Sequence, residues 1–178
     1  MKKRIQIKSL TEGGLAVALA TVLSLIVVYK MPQGGSITAG SMVPIIFYSL
    51  RWGAKKGVLV GGVFGLINFM ISPYFYSPMQ FLLDYILAYG LLGLAGIFSS
   101  KEFSIKNVIL GSSLGILARA ISHILAGVFF FAEYAGDMNP WVYSGIYNAS
   151  YLVPELIISI IVISILYKPL TNILSKVN

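Results

Sequence analysis

The sequence predicts an all-α integral membrane protein of six transmembrane helices, with the N- and C-termini on the cytoplasmic side. Three observations carry that expectation. Hydrophobic residues make up 57% of the 178-residue chain and charged residues only 11%, with a mean hydropathy of +0.86. Soluble domains carry about 25% charged residues, so most of this surface must face something other than water. Long apolar runs recur, and at about 20 residues per crossing they leave room for roughly five to seven crossings and little else. The basic residues, finally, alternate along the chain in a way that assigns the loops to two sides.

The whole chain, 1–178, reads as one membrane domain. The first span covers about 10–30, with Ser9 and Glu12 in the form of a capping box at its start. The basic N-terminus resembles a signal peptide, but no small-residue cleavage site follows Val28, so the run reads as a retained span. An uncharged stretch, MPQGGSITAG at 31–40, is too glycine-rich for regular helix throughout. The second span, 41–50, is short and stops at Arg51-Trp52-Gly53. The third, 57–71, carries Gly61, Gly62 and Gly65, which suit close helix packing in lipid. The fourth, 78–99, starts with Ser77 as cap, Pro78 in the first turn and Gln80 completing a box. The fifth covers 107–131. The sixth, 140–167, follows the cap-plus-proline pair Asn139-Pro140.

With the N-terminus inside, the inner segments hold Lys2, Lys3, Arg4 and Lys8, then Arg51, Lys55 and Lys56, then Lys101 and Lys106, and finally Lys168 and Lys176. These are eleven of the thirteen basic residues, and the outer loops hold none. Positive charge is retained on the cytoplasmic side, which fixes the orientation. The same dispersal argues against nucleic acid as a partner despite the net charge of +7, because no basic patch forms. The absence of cysteine excludes disulfides, thiolate catalysis and cysteine metal sites. No GxxxxGK[ST] loop is present, so ATP hydrolysis by that machinery must come from elsewhere.

Ionisable residues within a span are costly and mark function by default. Here they are Asp84, Arg119, His123 and Glu155, with Asn148 nearby. Helical rise places Asp84 about 9–10 Å, and His123 and Asn148 each about 12 Å, below the outer surface. Three polar side chains from three helices at one level, open to the outside, form the outline of a ligand pocket. Arg119, His123 and Gly127 share one face of the fifth span, Ser144, Asn148, Tyr151 and Glu155 one face of the sixth, and Gln80 and Asp84 one face of the fourth. Gly127 would let a planar ligand approach the backbone. Arg119 and Glu155 lie deeper, at near-equal depth, and are either a structural ion pair or part of the site. His123 is either a packing histidine or a ligand group. Asp84 has no evident basic partner, which suits a cationic or amine-bearing ligand. The outer tyrosines, with Trp141, are either an interfacial belt or a stacking surface for a flat cation. Gly14 and Ala18, with Ala16 and Ala20, form small-xxx-small patterns, for internal packing or for docking another membrane protein.

Five stretches taken together, MPQGGSITAGSMVPI (31–45), SLRWGAKKGVLVGGVFG (49–65), SPMQFLLDYILAYGLLGLAGIF (77–98), ARAISHILAGVFFFAEYA (118–135) and WVYSGIYNASYLVPE (141–155), resemble the thiamine-specific substrate-binding (S) component of energy-coupling factor (ECF) transporters. The resemblance implies a six-helix protein of the bacterial cell membrane that binds thiamine near the extracellular side. It implies no cofactor and no catalysis of its own. ATP is used only by partner subunits: a transmembrane coupling protein and two cytoplasmic ATPases. By the same resemblance the carboxylate that recognises the aminopyrimidine falls on Asp84, followed by Tyr85. The family's histidine, glycine, tyrosine and asparagine fall on His123, Gly127, Tyr143 and Asn148, and its docking motif on Gly14 and Ala18. Some members carry glutamate in place of Asp84, and a stacking tryptophan in place of Phe131, for which Trp141 is the candidate substitute. The first outer loop has Gly34 and Gly35 where relatives place a tryptophan. Tyr74 joins the aromatic group around the pocket. Among the other readings, riboflavin is neutral and leaves Asp84 unexplained. A membrane enzyme lacks a close carboxylate pair. An assembly subunit needs no polar residues at one depth.

Overall fold

The computed structural model describes residues 2–100 and 104–176; Lys101, one of the basic residues used for orientation, lies outside them. Among the described residues, helices follow one another along the chain, with a small hairpin between the first and second. The first, α1, spans Lys2–Leu25. It starts well before the expected capping box, because residues 2–8 are good helix formers and simply continue the helix. Ser9 and Glu12 therefore lie inside α1 and serve tertiary contacts instead. The Ser9 Oγ is 3.0 Å from the Tyr48 hydroxyl, and Glu12 accepts from Arg51 Nε at 2.8 Å and Trp52 Nε1 at 2.6 Å.

The helix also ends earlier than hydropathy suggests. β-Branched Val27 and Val28 leave it to form β1, Val27–Lys30, which pairs antiparallel with β2, Ser36–Thr38. The turn between them closes through Met31 N–H to the Gly35 carbonyl at 2.7 Å, with Gly34 at φ +97°. Hydropathy reads these residues as more helix because the strand is equally apolar. Only the turn residues separate the two.

The second helix, α2, spans Val43–Trp52, only 10 residues. That is about 15 Å, half of a bilayer's hydrocarbon thickness. Its contacts set how it lies against α1. Thr38 pairs with Val27 beyond one end of α1, while Tyr48 and Arg51 contact Ser9 and Glu12 near the other. Residues 38–52 thus run antiparallel beside α1, with bends and a turn at 39–42 leading into α2.

Helix α3 spans Ala54–Ile71 and α4 spans Pro78–Phe98. A Cβ on Gly61 would lie 2.2 Å from the Tyr89 carbonyl, and one on Gly65 2.3 Å from that of Tyr85. These two glycines let α3 and α4 touch backbone to backbone. Gly62 faces away, with nothing near it. The start of α4 follows its sequence signals: Gln80 N–H donates to Ser77 Oγ at 3.1 Å, and the Gln80 Oε1 accepts from Tyr76 N–H at 3.0 Å. Beyond the first turn α4 departs from regular helix. It widens to a π-helix at Leu82–Leu87 and tightens to a 3₁₀-helix at Leu92–Phe98.

Helix α5 spans Ile105–Phe130, and α6 spans Pro140–Lys176 with Asn139 Oδ1 capping Trp141 N–H at 2.9 Å. Among the described residues, five helices are long and apolar enough to cross a membrane: Arg4–Leu25, Ala54–Ile71, Pro78–Phe98, Ile105–Phe130 and Pro140–Leu166. Polarity is arranged as lipid requires. Leu19, Leu59, Met70, Leu117 and Ile161 are exposed, whereas Ser49, Gln80, Ser112, Asn148, Glu155 and Ser159 are buried. Lipid solvates the former; of the latter, Ser49, Gln80 and Asn148 are hydrogen-bonded, while Ser112 Oγ, Ser159 Oγ and Glu155 Oε2 have no partner among the described residues.

Candidate functional site

A cavity of about 570 Å³ opens between the hairpin, α4, α5, α6 and the loop before α4. Its polar wall is built around Asp84, which sits in the π-helical segment of α4. Inserting a residue into a helix turn re-aims the side chains there, and such segments often occur at functional sites. The Asp84 Oδ1 lies 2.8 Å from His123 Nδ1 on α5, and its Oδ2 accepts from Gln80 Nε2 at 2.8 Å. Gln80 is held in turn by its capping contacts. Arg119 Nε donates to His123 Nε2 at 3.2 Å, so Nε2 is an acceptor and the ring proton is on Nδ1. His123 is thereby a neutral donor to Asp84. The Arg119 guanidinium is stacked 4.2 Å from the centre of the Tyr89 ring.

Two sequence expectations are corrected here. Asp84 does have a partner from a basic residue type, His123, because the faces of α4 and α5 bring two residues of similar depth into contact. Arg119 and Glu155 do not form an ion pair. Arg119 turns to His123 and Tyr89, while Glu155 Oε1 accepts from the Thr38 backbone N–H at 2.5 Å and Thr38 Oγ1 at 2.7 Å. Equal depth on adjacent helices left the rotation of each side chain undetermined, and the hairpin supplied a competitor absent from any helical reading.

The third wall is α6. Asn148 Oδ1 accepts from the Tyr151 hydroxyl at 2.5 Å, and its Nδ2 donates to the Ser144 carbonyl at 2.9 Å. Tyr151 packs edge-on toward His123, with ring centres 6.3 Å apart, so Asn148 joins the Asp84–His123 group through one ring. Tyr143 stacks on Tyr147 at 6.2 Å. Near the outer end, Phe131 meets Tyr74 at 5.7 Å and Tyr134 at 6.2 Å. The hydrogen bond that its hydroxyl donates to Tyr134 holds the Tyr74 phenol above its ordinary pKa, so it stays neutral through physiological pH. Tyr85 donates to the Ser72 carbonyl at 3.1 Å and accepts from Tyr74 N–H at 3.0 Å, fixing the loop before α4.

Of the nine residues marked for substrate from the sequence, the structure brings eight to the cavity: Tyr74, Asp84, Tyr85, His123, Gly127, Phe131, Tyr143 and Asn148. Trp141 is the exception. It is exposed, 53% accessible, in the first turn of α6 and does not line the cavity. A Cβ on Gly127 would meet Ser144 Oγ at 2.2 Å, so this glycine admits α6 against α5 as well as lining the pocket. Gly14 and Ala18 are exposed on α1, whereas Ala16 and Ala20 pack inward. Sequence reasoning missed the hairpin residues Gly35, Ser36 and Thr38 as cavity walls. The glycine pair and the run of β-branched residues before it were the available signal.

The chain's sequence and fold are matched by known proteins. Residues 10–175 match the model of the thiamine transporter protein family (Thia_YuaJ). The chain belongs to this family. It is 35% identical to the thiamine transporter ThiT of Bacillus subtilis (strain 168) over 190 residues, covering 99% of this chain and 98% of the relative. It is 25% identical to ThiT of Lacticaseibacillus paracasei, covering 93% and 90% of the two chains. The fold is similar to a solved structure of ThiT from Listeria monocytogenes, with a TM-score of 0.83 at 27% identity, over 92% of this chain and 95% of that one. Membership in this family makes the chain a multi-pass membrane protein of transport, in keeping with its five long apolar helices.

Proposed function

We propose that the chain is the thiamine-binding, substrate-specificity subunit of an ECF-type uptake transporter in the bacterial cell membrane. The observation that carries this is the Asp84 carboxylate. It is held by neutral donors, Gln80 and His123, and lines a cavity walled by tyrosines and Phe131. Two of its acceptor sites remain for a ligand, since a carboxylate offers about four. Thiamine combines an aminopyrimidine, which can donate to that carboxylate, with a thiazolium cation that aromatic faces attract. The full-length likeness to curated thiamine transporters supports the same ligand.

In this reading the chain binds and hands over its substrate without chemistry, and partner subunits hydrolyse ATP: a transmembrane coupling protein and two cytoplasmic ATPases. The exposed Gly14 and Ala18 on α1 are the docking face for the coupling protein, since small residues let a second helix approach closely. The segment 38–52 supplies a sixth crossing, and both termini lie in the cytoplasm, in line with the loop charges. The cavity then opens to the outside.

Isothermal titration of the detergent-purified protein with thiamine and, separately, riboflavin tests the assignment. Saturable heat with thiamine and none with riboflavin is expected. Heat with riboflavin alone, or with neither, overturns it. Calorimetry is preferable to intrinsic fluorescence because neither Trp52 nor Trp141 lines the cavity.

A further inference from the structure

Gln80 runs against a local preference at the start of α4. The third position of a capping box takes glutamate or glutamine alike, and the helix dipole favours the acidic one there. Glutamine at this place points to a task that a carboxylate cannot do. The residue is 1% exposed, and both ends of its side chain are hydrogen-bonded. In an ordinary box that side chain reaches back to the N–H of the cap itself. Here Oε1 accepts from Tyr76 N–H, one residue before the cap, and Nε2 turns forward to Asp84 Oδ2 at 2.8 Å.

Only one orientation is open to this amide. A backbone N–H can only donate, so the atom facing Tyr76 is the carbonyl oxygen and the atom facing Asp84 is the amide nitrogen. A second chain of the same kind reaches Asp84 from α5. Arg119 Nε, which also can only donate, faces His123 Nε2, and His123 Nδ1 lies 2.8 Å from Asp84 Oδ1. Each Asp84 oxygen therefore meets one donor whose orientation is set one residue further back, and together they fix the plane of the carboxyl group. Gln80 also ties that plane to the loop before α4. The same loop carries Tyr74, whose N–H is held by the Tyr85 hydroxyl, so Asp84 and this part of the aromatic wall share one frame.

We propose that Gln80 is a positioning residue: its amide, anchored on Tyr76 N–H, holds the Asp84 carboxyl group in the plane that receives the amine-bearing part of the ligand. The assignment rests on thiamine being the ligand and deepens that reading. At 1% exposure Gln80 offers a ligand almost no surface of its own, so it acts through Asp84.

The test is calorimetric titration of thiamine into the full chain in detergent, from about pH 5.5 to about pH 8.5, a range above the ordinary carboxylate pKa values. Each variant is expressed as a ratio to wild type at the same pH, which cancels the titration of thiamine itself. Gln80→Glu keeps an oxygen for Tyr76 N–H and suits the start of a helix, so α4 is retained, but its second oxygen faces Asp84 Oδ2 without an N–H. Two carboxyl groups so placed share one proton, and only the protonated pair gives Asp84 a donor again. Its affinity should lie within about threefold of wild type at the acid end and fall by at least about tenfold at the alkaline end, the usual worth of a hydrogen bond to a charged group. A ratio that stays constant across the range overturns the inference, because a purely structural role does not follow pH. Gln80→Met keeps the length, removes the donor and adds no charge. It should weaken thiamine by at least about fivefold at every pH. Full affinity in this variant would trace the glutamate effect to repulsion rather than to a lost donor, and would also overturn the inference. Wild-type protein that does not bind thiamine refutes the ligand assignment, whereas either variant result refutes the role of Gln80 alone.

Discussion

At the scale of single residues, the site depends on which atoms already have partners. Asp84 is hydrogen-bonded by Gln80 and His123, yet neither carries a charge, and the carboxylate has acceptor capacity to spare. Asp84→Asn is therefore expected to weaken thiamine binding by about 1.5–3 kcal/mol, the usual worth of a hydrogen bond to a charged group. Calorimetry reads this directly, and an unchanged affinity would remove Asp84 from the site. Sequence identified the residue but not its surroundings. Helical rise gave its depth to within a turn, whereas its contact with His123 depends on the rotation of α4 and α5 about their own axes.

At the scale of elements, the hairpin is the part that hydropathy could not resolve. It is tied to α6 at two points, through Glu155 to Thr38 and through Gly35 N–H to the Tyr147 hydroxyl at 3.0 Å. Gly35 is there because nothing larger fits: a Cβ would lie 2.6 Å from Tyr151 Cε1. Gly35→Ala should push the hairpin off α6, weakening the ligand by about tenfold and costing about 1–3 kcal/mol of stability. Thermal unfolding in detergent with and without thiamine measures both effects; retention of both would mean that the hairpin does not seal the cavity. The π-helical segment of α4 was equally illegible. Its residues have ordinary helical patterning, and the extra residue per turn reflects how α4 fits against α3 and α5. The proline, serine and glutamine signals at the start of α4 were readable because capping is local chemistry.

At the scale of the whole molecule, the loop charges and the depth argument make a joint claim about sidedness. Native cysteine is absent, so single cysteines report cleanly. In intact cells, Asp137→Cys should react with a membrane-impermeant maleimide and Lys55→Cys should react only after permeabilisation; both sites are exposed. The reverse pattern would invert the topology and close the cavity to the outside. Docking is separable from binding at the same scale. Gly14→Leu, on a face that touches nothing within the chain, should leave thiamine affinity unchanged but abolish co-purification with the coupling module. Loss of affinity in this variant would show that α1 shapes the cavity.

Composition and local pattern determined that this chain lives in a membrane, where most of its helices start, and which residues are too polar to be there without a task. Those properties depend on solvation and on neighbours a few positions away, which a sequence displays. Tertiary structure alone decided that residues 27–30 leave the helix, that Arg119 serves His123 rather than Glu155, and that Trp141 stays outside. Each of these is a choice between partners far apart in the chain. The physical reason is competition: a buried polar group takes whichever partner packing brings within reach, and only the assembled helices set that distance.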